Sequence, residues 1–420
     1  MGVNDADGRW AHRLRQRATL RNILILGAVV RLLLVPLWFG QDFIVWRVVA
    51  QELLHGRDFY SNKPAALPGG PFAYLPLFAY IEVPFRLIAN LTHTSFTFWG
   101  KLPILMGDAL VVWAIVKWCA KMGVAQAKVA IAVAMWWLNP LVLFNGALYG
   151  RFDSLVLGVL MSALLIGPPR AGERWYQARS TFLFAASIAL KTFPAFLLPW
   201  FWRNAKQRNR LFAGIIGMCA VWSLPFSLHD PSAFIHATVL YDTGKVPSNL
   251  SWQVSFVHIM SPDTTRAIGT FILIGFFITL FMLTKLDLVE YCAAAFCAFV
   301  VFGKIVNEQY LVWAIPFLVL LVASGRGKYH GWMLGAFTVV GTFVNPLFHP
   351  IGRQGKLPTL WINLALAAGT SAYLAWQWNT HHARTFGAAL LDDSFLDERE
   401  RELLYAPAPA DIVPQSPHKQ

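Results

Sequence analysis

Apolar runs separated by short polar joints recur along almost the whole chain, and their lengths set the first prediction. The runs cover residues 21–40, 98–118, 129–148, 154–168, 211–227, 265–284, 288–303, 309–323, 331–348 and 358–377, with two half-length segments at 180–190 and 194–202. About 20 apolar residues in a helix cross the hydrocarbon layer of a bilayer. Lipid accepts only structures that satisfy their own backbone, which for such long runs means helices. The pattern predicts an all-α polytopic membrane protein of about 12 transmembrane helices.

Between the first two runs the pattern changes. Residues 43–56, FIVWRVVAQELLHG, alternate apolar and polar positions at helical spacing, which predicts an amphipathic helix lying in the interface. FYSNKPAALPGGPFAYLP follows as a loop, broken by four prolines and a Gly-Gly pair. Residues 76–91 carry Glu82, Pro84 and Arg86 among apolar positions and read either as a span or as a second interfacial helix. Lys and Arg concentrate in cytoplasmic loops. The surface reading places Lys117, Lys121 and Lys128 in the cytoplasm, so it is the one adopted. The same rule holds the arginine-rich start, Arg9 to Arg21, inside, and no small-residue cleavage pattern follows it.

Composition agrees with the pattern. Of 420 residues 56% are hydrophobic and 14% charged, against about 25% charged in soluble domains. The net charge of +13 is read as loop orientation, because no basic patch interleaved with aromatics lies outside the spans. Nucleic acid is therefore not expected as a partner. Cys119, Cys219, Cys292 and Cys297 lie in or beside apolar runs and read as packing residues.

This topology gathers the polar punctuation on the outer face: Asp42, Asp58, Tyr60, Asn145, Arg151, Asp153, Lys191, His229, Lys304, Asn307, Glu308, Gln309, His349, Arg353 and Lys356. Ionisable groups at membrane depth are expensive and usually line cavities, which predicts a water-filled site at the outer boundary. Each residue also has a plainer reading. Asp42 could cap the helix that follows. Arg151 and Asp153 could form a structural ion pair. Lys191 could snorkel, and Asp108 could pair with a lysine inside the bundle. Trp136 and Trp137 read as packing. Lys191 and Lys304, however, both interrupt apolar runs on one side, which suits a buried anion. A phosphate ester leaving group needs fixed cations, supplied by Arg151, Lys191, Lys304 and Arg353 or Lys356. A hydroxyl nucleophile needs a carboxylate to take its proton, and Asp42 fits. No P-loop, GxGxxG, GxSxG or Cys/His metal spacing occurs in useful context.

At these residues the chain resembles a family. Asp42 at the exit of the first span, Gly56-Arg57-Asp58-Phe59-Tyr60, and the Tyr74-Leu75-Pro76 segment resemble the first outer loop of the GT-C glycosyltransferases. FWGKLPILMGDALV, WWLNPLVLFNGALYGRFDSLVLGVL, ALKTFPAFLLP and KIVNEQYLVWAIPFLVLL follow in the order of the polyprenyl-phosphate-mannose-dependent mannosyltransferases. The group that adds the first mannose to glycosylphosphatidylinositol, with its bacterial relatives, is most alike. The likeness covers roughly residues 21–325.

The resemblance implies a conserved transmembrane module (21–227) with its first outer loop at 41–97 and a variable module (228–378), while charge and composition predict a cytoplasmic start (1–20) and a disordered cytoplasmic tail (379–420). It implies an inverting transfer of a hexose, with mannose favoured, from a polyprenyl-phosphate donor to a lipid or glycan acceptor. The catalytic carboxylates map to Asp42 and Asp153. Arg151, Lys191, Lys304, Asn307, Glu308, Gln309, Tyr310 and Arg353 would hold the donor's phosphate and sugar. The family often shows Asp-x-Asp at the first position, whereas Gln41-Asp42-Phe43 offers one carboxylate. A metal-independent base is therefore expected rather than a divalent-metal site. The rival function is a secondary transporter or lipid-linked-sugar flippase, but the broken pair at 180–202 has no counterpart in the other half. Asn90-Leu91-Thr92 and Asn249-Leu250-Ser251 have the form of glycosylation sequons. A bacterial plasma membrane is the expected location, or the ER membrane in a eukaryote.

Overall fold

A computed structural model describes residues 4–61, 72–167, 174–241, 247–256, 260–283, 286–344 and 357–390. The chain divides into a first unit, Met1–Leu374, and a second, Ala375–Gln420, whose described part is helical as far as Leu390. Residues 379–390 of the expected disordered tail are helical instead, and the rest of it lies outside the described residues.

The protein is all-α apart from two short strands. In chain order the helices are α1 (Asn4–Leu34), α2 (Gln41–Leu54), α3 (Leu77–Leu91), α4 (Phe96–Trp99), α5 (Leu102–Lys121), α6 (Gln126–Trp137), α7 (Pro140–Leu143), α8 (Asp153–Ile166), α9 (Arg174–Leu190), α10 (Leu198–Asn204), α11 (Arg208–His229), α12 (Pro231–Thr238), α13 (Pro262–Met282), α14 (Leu288–Phe302), α15 (Ile315–Ala323), α16 (Lys328–Phe343) and α17 (Leu357–Leu390). Strands β1 (Ser248–Asn249) and β2 (Ile305–Val306) pair in parallel. Most apolar runs thus become helices close to their expected bounds, and α12 is a further helix between the expected runs 211–227 and 265–284.

Several expected spans are broken, each for a local reason. The run 129–148 bends by 45° between α6 and the Pro140–Leu148 segment. Pro140 cannot donate to the helix before it, and the Asn139 side chain caps α7 by accepting from Leu141 N at 3.0 Å. The chain then widens into a π-helical turn, Phe144–Leu148. The run 309–323 begins as a 3₁₀ helix, Glu308–Trp313, before Pro316 opens α15. The hinge at Lys191-Thr192-Phe193-Pro194 is present, leading through a 3₁₀ turn, Phe193–Leu197, into α10. Among the described residues two helices are long and apolar enough to cross a membrane, Phe96–Lys121 and Arg208–His229, and the bent pair makes a third. The remaining apolar helices are shorter, so these lengths by themselves do not yield the expected twelve.

The core is built where small residues let helices close. A Cβ on Gly107 of α5 would stand 2.4 Å from the Leu155 backbone of α8, and one on Gly158 would stand 3.0 Å from the Gly107 carbonyl. Such close crossings give membrane helices their van der Waals contact. Deeper in, Arg31 of α1 donates to Asp108 of α5 at 2.7 Å and to the Trp137 carbonyl at 2.6 Å, with its guanidinium 3.6 Å over the Trp137 ring. Asp108 therefore pairs with an arginine from the first helix, not with a lysine. Trp137 and Trp136 also do more than pack, donating to the Leu24 and Asp108 carbonyls.

The first outer loop folds as a platform. Phe78, in the first turn of α3, stacks on Phe152 at 3.9 Å, and Phe96, just past its end, stacks on Phe43 at 5.6 Å. Phe43 itself lies against Gly150. The first turn of α3 is thereby tied to Phe152, while the segment after its end packs on Phe43 of α2. Glu82 of α3 is fully buried with neither oxygen partnered among the described residues, and burial pushes its carboxyl well above the usual range. Arg86 donates instead to Gln51 of α2 at 2.5 Å.

The sequon at 249–251 is exposed at Asn249 and buried at Ser251. The Ser251 hydroxyl is buried and donates to the Gly303 carbonyl at 2.8 Å, while the Asn249 side chain donates to Asn307.

Candidate active site

The exit of α1 and the turn before α8 meet at the platform. Asp42 lies in the first turn of α2, but the N-cap position is Gly40 and no side chain caps the helix. The expected capping role is thus not the one found. The Asp42 carboxylate still favours the positive end of the helix dipole. It points outward and is 39% exposed.

Arg151 reaches Asp42 from across the seam. The wide π turn hands the chain to Gly150 at φ +75°, a left-handed conformation that favours glycine. A Cβ there would stand 2.4 Å from the Phe43 ring. Trp46 fixes the turn by donating to the Gly150 carbonyl at 3.1 Å. Arg151 then lies between two carboxylates, with Nε 3.2 Å from Asp42 Oδ2 and Nη1 2.7 Å from Glu308 Oε1. Burial disfavours its charge, but Glu308, Asp42 and Asp153 together outweigh that and hold the guanidinium above its ordinary pKa.

Two residues on, Asp153 faces a different cation. Its Oδ1 accepts from Lys191 Nζ at 2.7 Å and from the Trp313 indole at 2.7 Å. Its Oδ2 is buried without a partner among the described residues. The anticipated Arg151–Asp153 pair does not form, because Phe152 lies buried between them and the two side chains diverge. Lys191 sits inside an aromatic box, 5.5 Å from the rings of Tyr74, Phe152 and Tyr310 and 5.7 Å from Trp313. Aromatic faces at this distance attract an ammonium through their ring quadrupoles. The 3₁₀ helix at 308–313 explains the shape. Residues three apart eclipse in that helix, which stacks Tyr310 and Trp313 with centroids 4.3 Å apart.

Tyr74 joins the two clusters. Its carbonyl accepts from the Tyr60 hydroxyl at 2.5 Å. Burial, followed by the nearby Tyr310, Asp42, Asp153 and Tyr241, holds its own hydroxyl well above the ordinary tyrosine range. Its hydroxyl is therefore neutral and lies within electrostatic reach of both Asp42 and Asp153.

The structure thus brings together Asp42, Arg151, Asp153, Lys191, Glu308 and Tyr310. Of the expected phosphate cations, Arg151 and Lys191 are both paired here, two cations facing three carboxylates. Lys304 joins neither cluster: it is half-buried, its carbonyl accepts from Ser248 N at 3.1 Å, and its stem runs near Gly269 of α13. Asn307 is engaged by Asn249, and Gln309 is buried with its Oε1 unpartnered among the described residues. Arg353 and Lys356 lie outside the described residues. No group of three or more His, Cys, Asp or Glu side chains suited to a metal ion occurs among the described residues. Sequence reasoning missed Tyr74, Trp313 and Lys101. Lys101 interrupts an apolar run ahead of a proline, much as Lys191 does, so the same signal could have found it.

The sequence model described as glycosyltransferase family 87 matches residues 72–306. The chain is similar to GPI mannosyltransferase 1 of Gibberella zeae, 23% identical over 349 residues, covering 71% of this chain and 75% of that protein. It is likewise 23% identical over 367 residues to GPI mannosyltransferase 1 of Trypanosoma brucei brucei, covering 75% and 81%. Its fold is similar to that of ArnT from Cupriavidus metallidurans bound to undecaprenyl phosphate, with a TM-score of 0.51 at 15% identity over 84% of this chain and 76% of that one.

Proposed function

Since the chain belongs to glycosyltransferase family 87, whose model spans residues 72–306, we propose that it transfers mannose from a polyprenyl-phosphate donor to a lipid or glycan hydroxyl. The coarser statement needs no proposal: the protein is a membrane glycosyltransferase with a GT-C fold. The finer one draws on the mannosyltransferase relatives and on the lipid phosphate named with the ArnT structure. A bacterial plasma membrane is the proposed location, with catalysis on its outer face.

One observation carries the mechanism. Of the three carboxylates at the site, Asp42 is the most exposed and has the longer of Arg151's two contacts, 3.2 Å against 2.7 Å to Glu308. Asp153 is sealed behind Lys191 and Trp313. Asp42 is therefore the carboxylate an acceptor hydroxyl can reach, and it takes that proton as the oxygen attacks the anomeric carbon. The bond from that carbon to the phosphate oxygen breaks in the same displacement, so the configuration inverts and polyprenyl phosphate leaves with the electron pair. Arg151 and Lys191 stabilise the charge that develops on the phosphate. Glu308 and Asp153 keep these cations placed beforehand, and Tyr74 and Tyr310 border the sugar. Arg151 supplies the positive charge between Asp42 and Glu308 in this reading.

The test supplies radiolabelled polyprenyl-phosphate mannose, glucose or arabinose to the purified protein with an acceptor lipid fraction. Labelled mannose appearing in the acceptor, at least tenfold faster than the other sugars, supports the proposal. Preference for another sugar overturns the mannose assignment. Donor movement across a vesicle without cleavage overturns the lipid-linked transfer.

A further inference from the structure

Lys101, just before α5, is fully buried, yet it has no carboxylate partner among the described residues. Its Nζ lies 2.8 Å from the Val35 carbonyl, 2.6 Å from Trp38, 2.9 Å from Ala147 and 2.9 Å from Leu148. The first two belong to the turn that ends α1, and the second two to the end of the π turn. Helix C-termini leave carbonyls unsatisfied and carry partial negative charge. Two such ends brought face to face repel each other unless a cation stands between them.

An ammonium offers three donors and no acceptor, so here three N–H groups serve four carbonyls. The seam continues toward the site. Gly40 N donates to the Tyr149 carbonyl at 2.9 Å, and two residues further on each side come Asp42 and Arg151. Phe43, 5.7 Å from the Lys101 ammonium, fills the gap beside Gly150.

We propose that Lys101 is a positioning residue whose ammonium clamps the exit of α1 to the π turn and so sets the separation of Asp42 from Arg151. This rests on the reading of Asp42 as the base. The ammonium is enclosed by backbone and touches nothing a donor could reach, so its loss slows chemistry and leaves donor binding in place. The site is a cation held by carbonyl oxygens, as in ion-selective filters. Propylammonium, which reproduces the side chain beyond Cβ, restores the clamp when that chain is removed.

The experiment measures donor KM and kcat for full-length Lys101→Met, Lys101→Ala and Asp42→Asn, with and without propylammonium. Lys101→Met is expected to lose at least 30-fold in kcat while its KM stays within threefold. Lys101→Ala is expected to recover at least tenfold in propylammonium and not in sodium chloride of equal ionic strength. Full-speed Lys101→Met, a KM rise at constant kcat, or recovery no better than in salt overturns the proposal. Should Lys101→Ala fail to fold, purification in propylammonium decides: recovered active protein supports the clamp, and no recovery overturns it. Normal turnover by Asp42→Asn would overturn the base alone, leaving the rescue to judge the clamp. A dead Asp42→Asn beside a full-speed Lys101→Met would overturn the clamp alone.

Discussion

Two arginine–aspartate pairs, built from the same atoms, have different surroundings and different consequences. Arg31 Nε meets Asp108 Oδ2 at 2.7 Å with side chains 2% and 0% exposed, deep among α1, α5 and α6. Arg151 Nε meets Asp42 Oδ2 at 3.2 Å with side chains 14% and 39% exposed, at the rim of the bundle. The inner arginine has one carboxylate, two backbone carbonyls and a tryptophan face, and is itself almost wholly buried. The outer arginine is shared by two carboxylates, and one of them is open. Burial turns the first pair into a structural tie, because either charge alone would be left in a medium that cannot solvate it. Openness leaves the second pair free to exchange a partner for a substrate.

The comparison breaks most sharply at Asp42. Asp42→Asn keeps the shape and removes the base, so turnover should fall by about 10²–10⁴-fold while thermal unfolding stays within ~2 °C of wild type; a stability loss with activity intact would reverse the two roles. Lys191→Met comes next, with a loss of roughly 10²–10³-fold in kcat, the usual scale for removing an electrostatic stabiliser. That loss should appear in release of polyprenyl phosphate, and an unchanged rate would remove Lys191 from the leaving-group site.

At the inner pair the effect should move from rate to stability. Asp108→Leu leaves Arg31 buried and unpaired and should cost about 3–5 kcal/mol, measured by denaturation in detergent, with turnover per folded molecule unchanged. Adding Arg31→Leu should restore most of that stability, which a catalytic role for the pair would not allow. The smallest change sharpens the sealed cluster. Trp313→Phe keeps the stack on Phe193 and deletes the indole bond to Asp153, worth about 1 kcal/mol. A rate loss of about fivefold is expected, and none at all would make that bond incidental to Lys191.

The helical pattern made the all-α class legible, along with the amphipathic α2 and the hinge after Lys191, because each depends on residues close in sequence. It also grouped several polar residues that do meet. Asp42, Arg151, Lys191 and Glu308 meet at one end, while Arg326 and Asp287 pair elsewhere, at the joints before α16 and α14. Partner identity was not legible. Arg151 and Asp153 are two residues apart and looked like a pair, yet their partners lie 157 and 38 positions away. The π turn and Gly150 set that divergence, and neither carries a sequence periodicity. Arg31 escaped notice inside an apolar run for the same reason, since only the packed bundle shows that Asp108 stands opposite it.

The central claim is that Asp42 acts on the proton and not on binding. Single-turnover transfer by Asp42→Asn from a pre-bound radiolabelled polyprenyl-phosphate-mannose donor tests it directly. The account predicts donor affinity within threefold of wild type and less than about 1% of the wild-type transfer rate. Transfer at the wild-type rate, or loss confined to donor affinity, would contradict it.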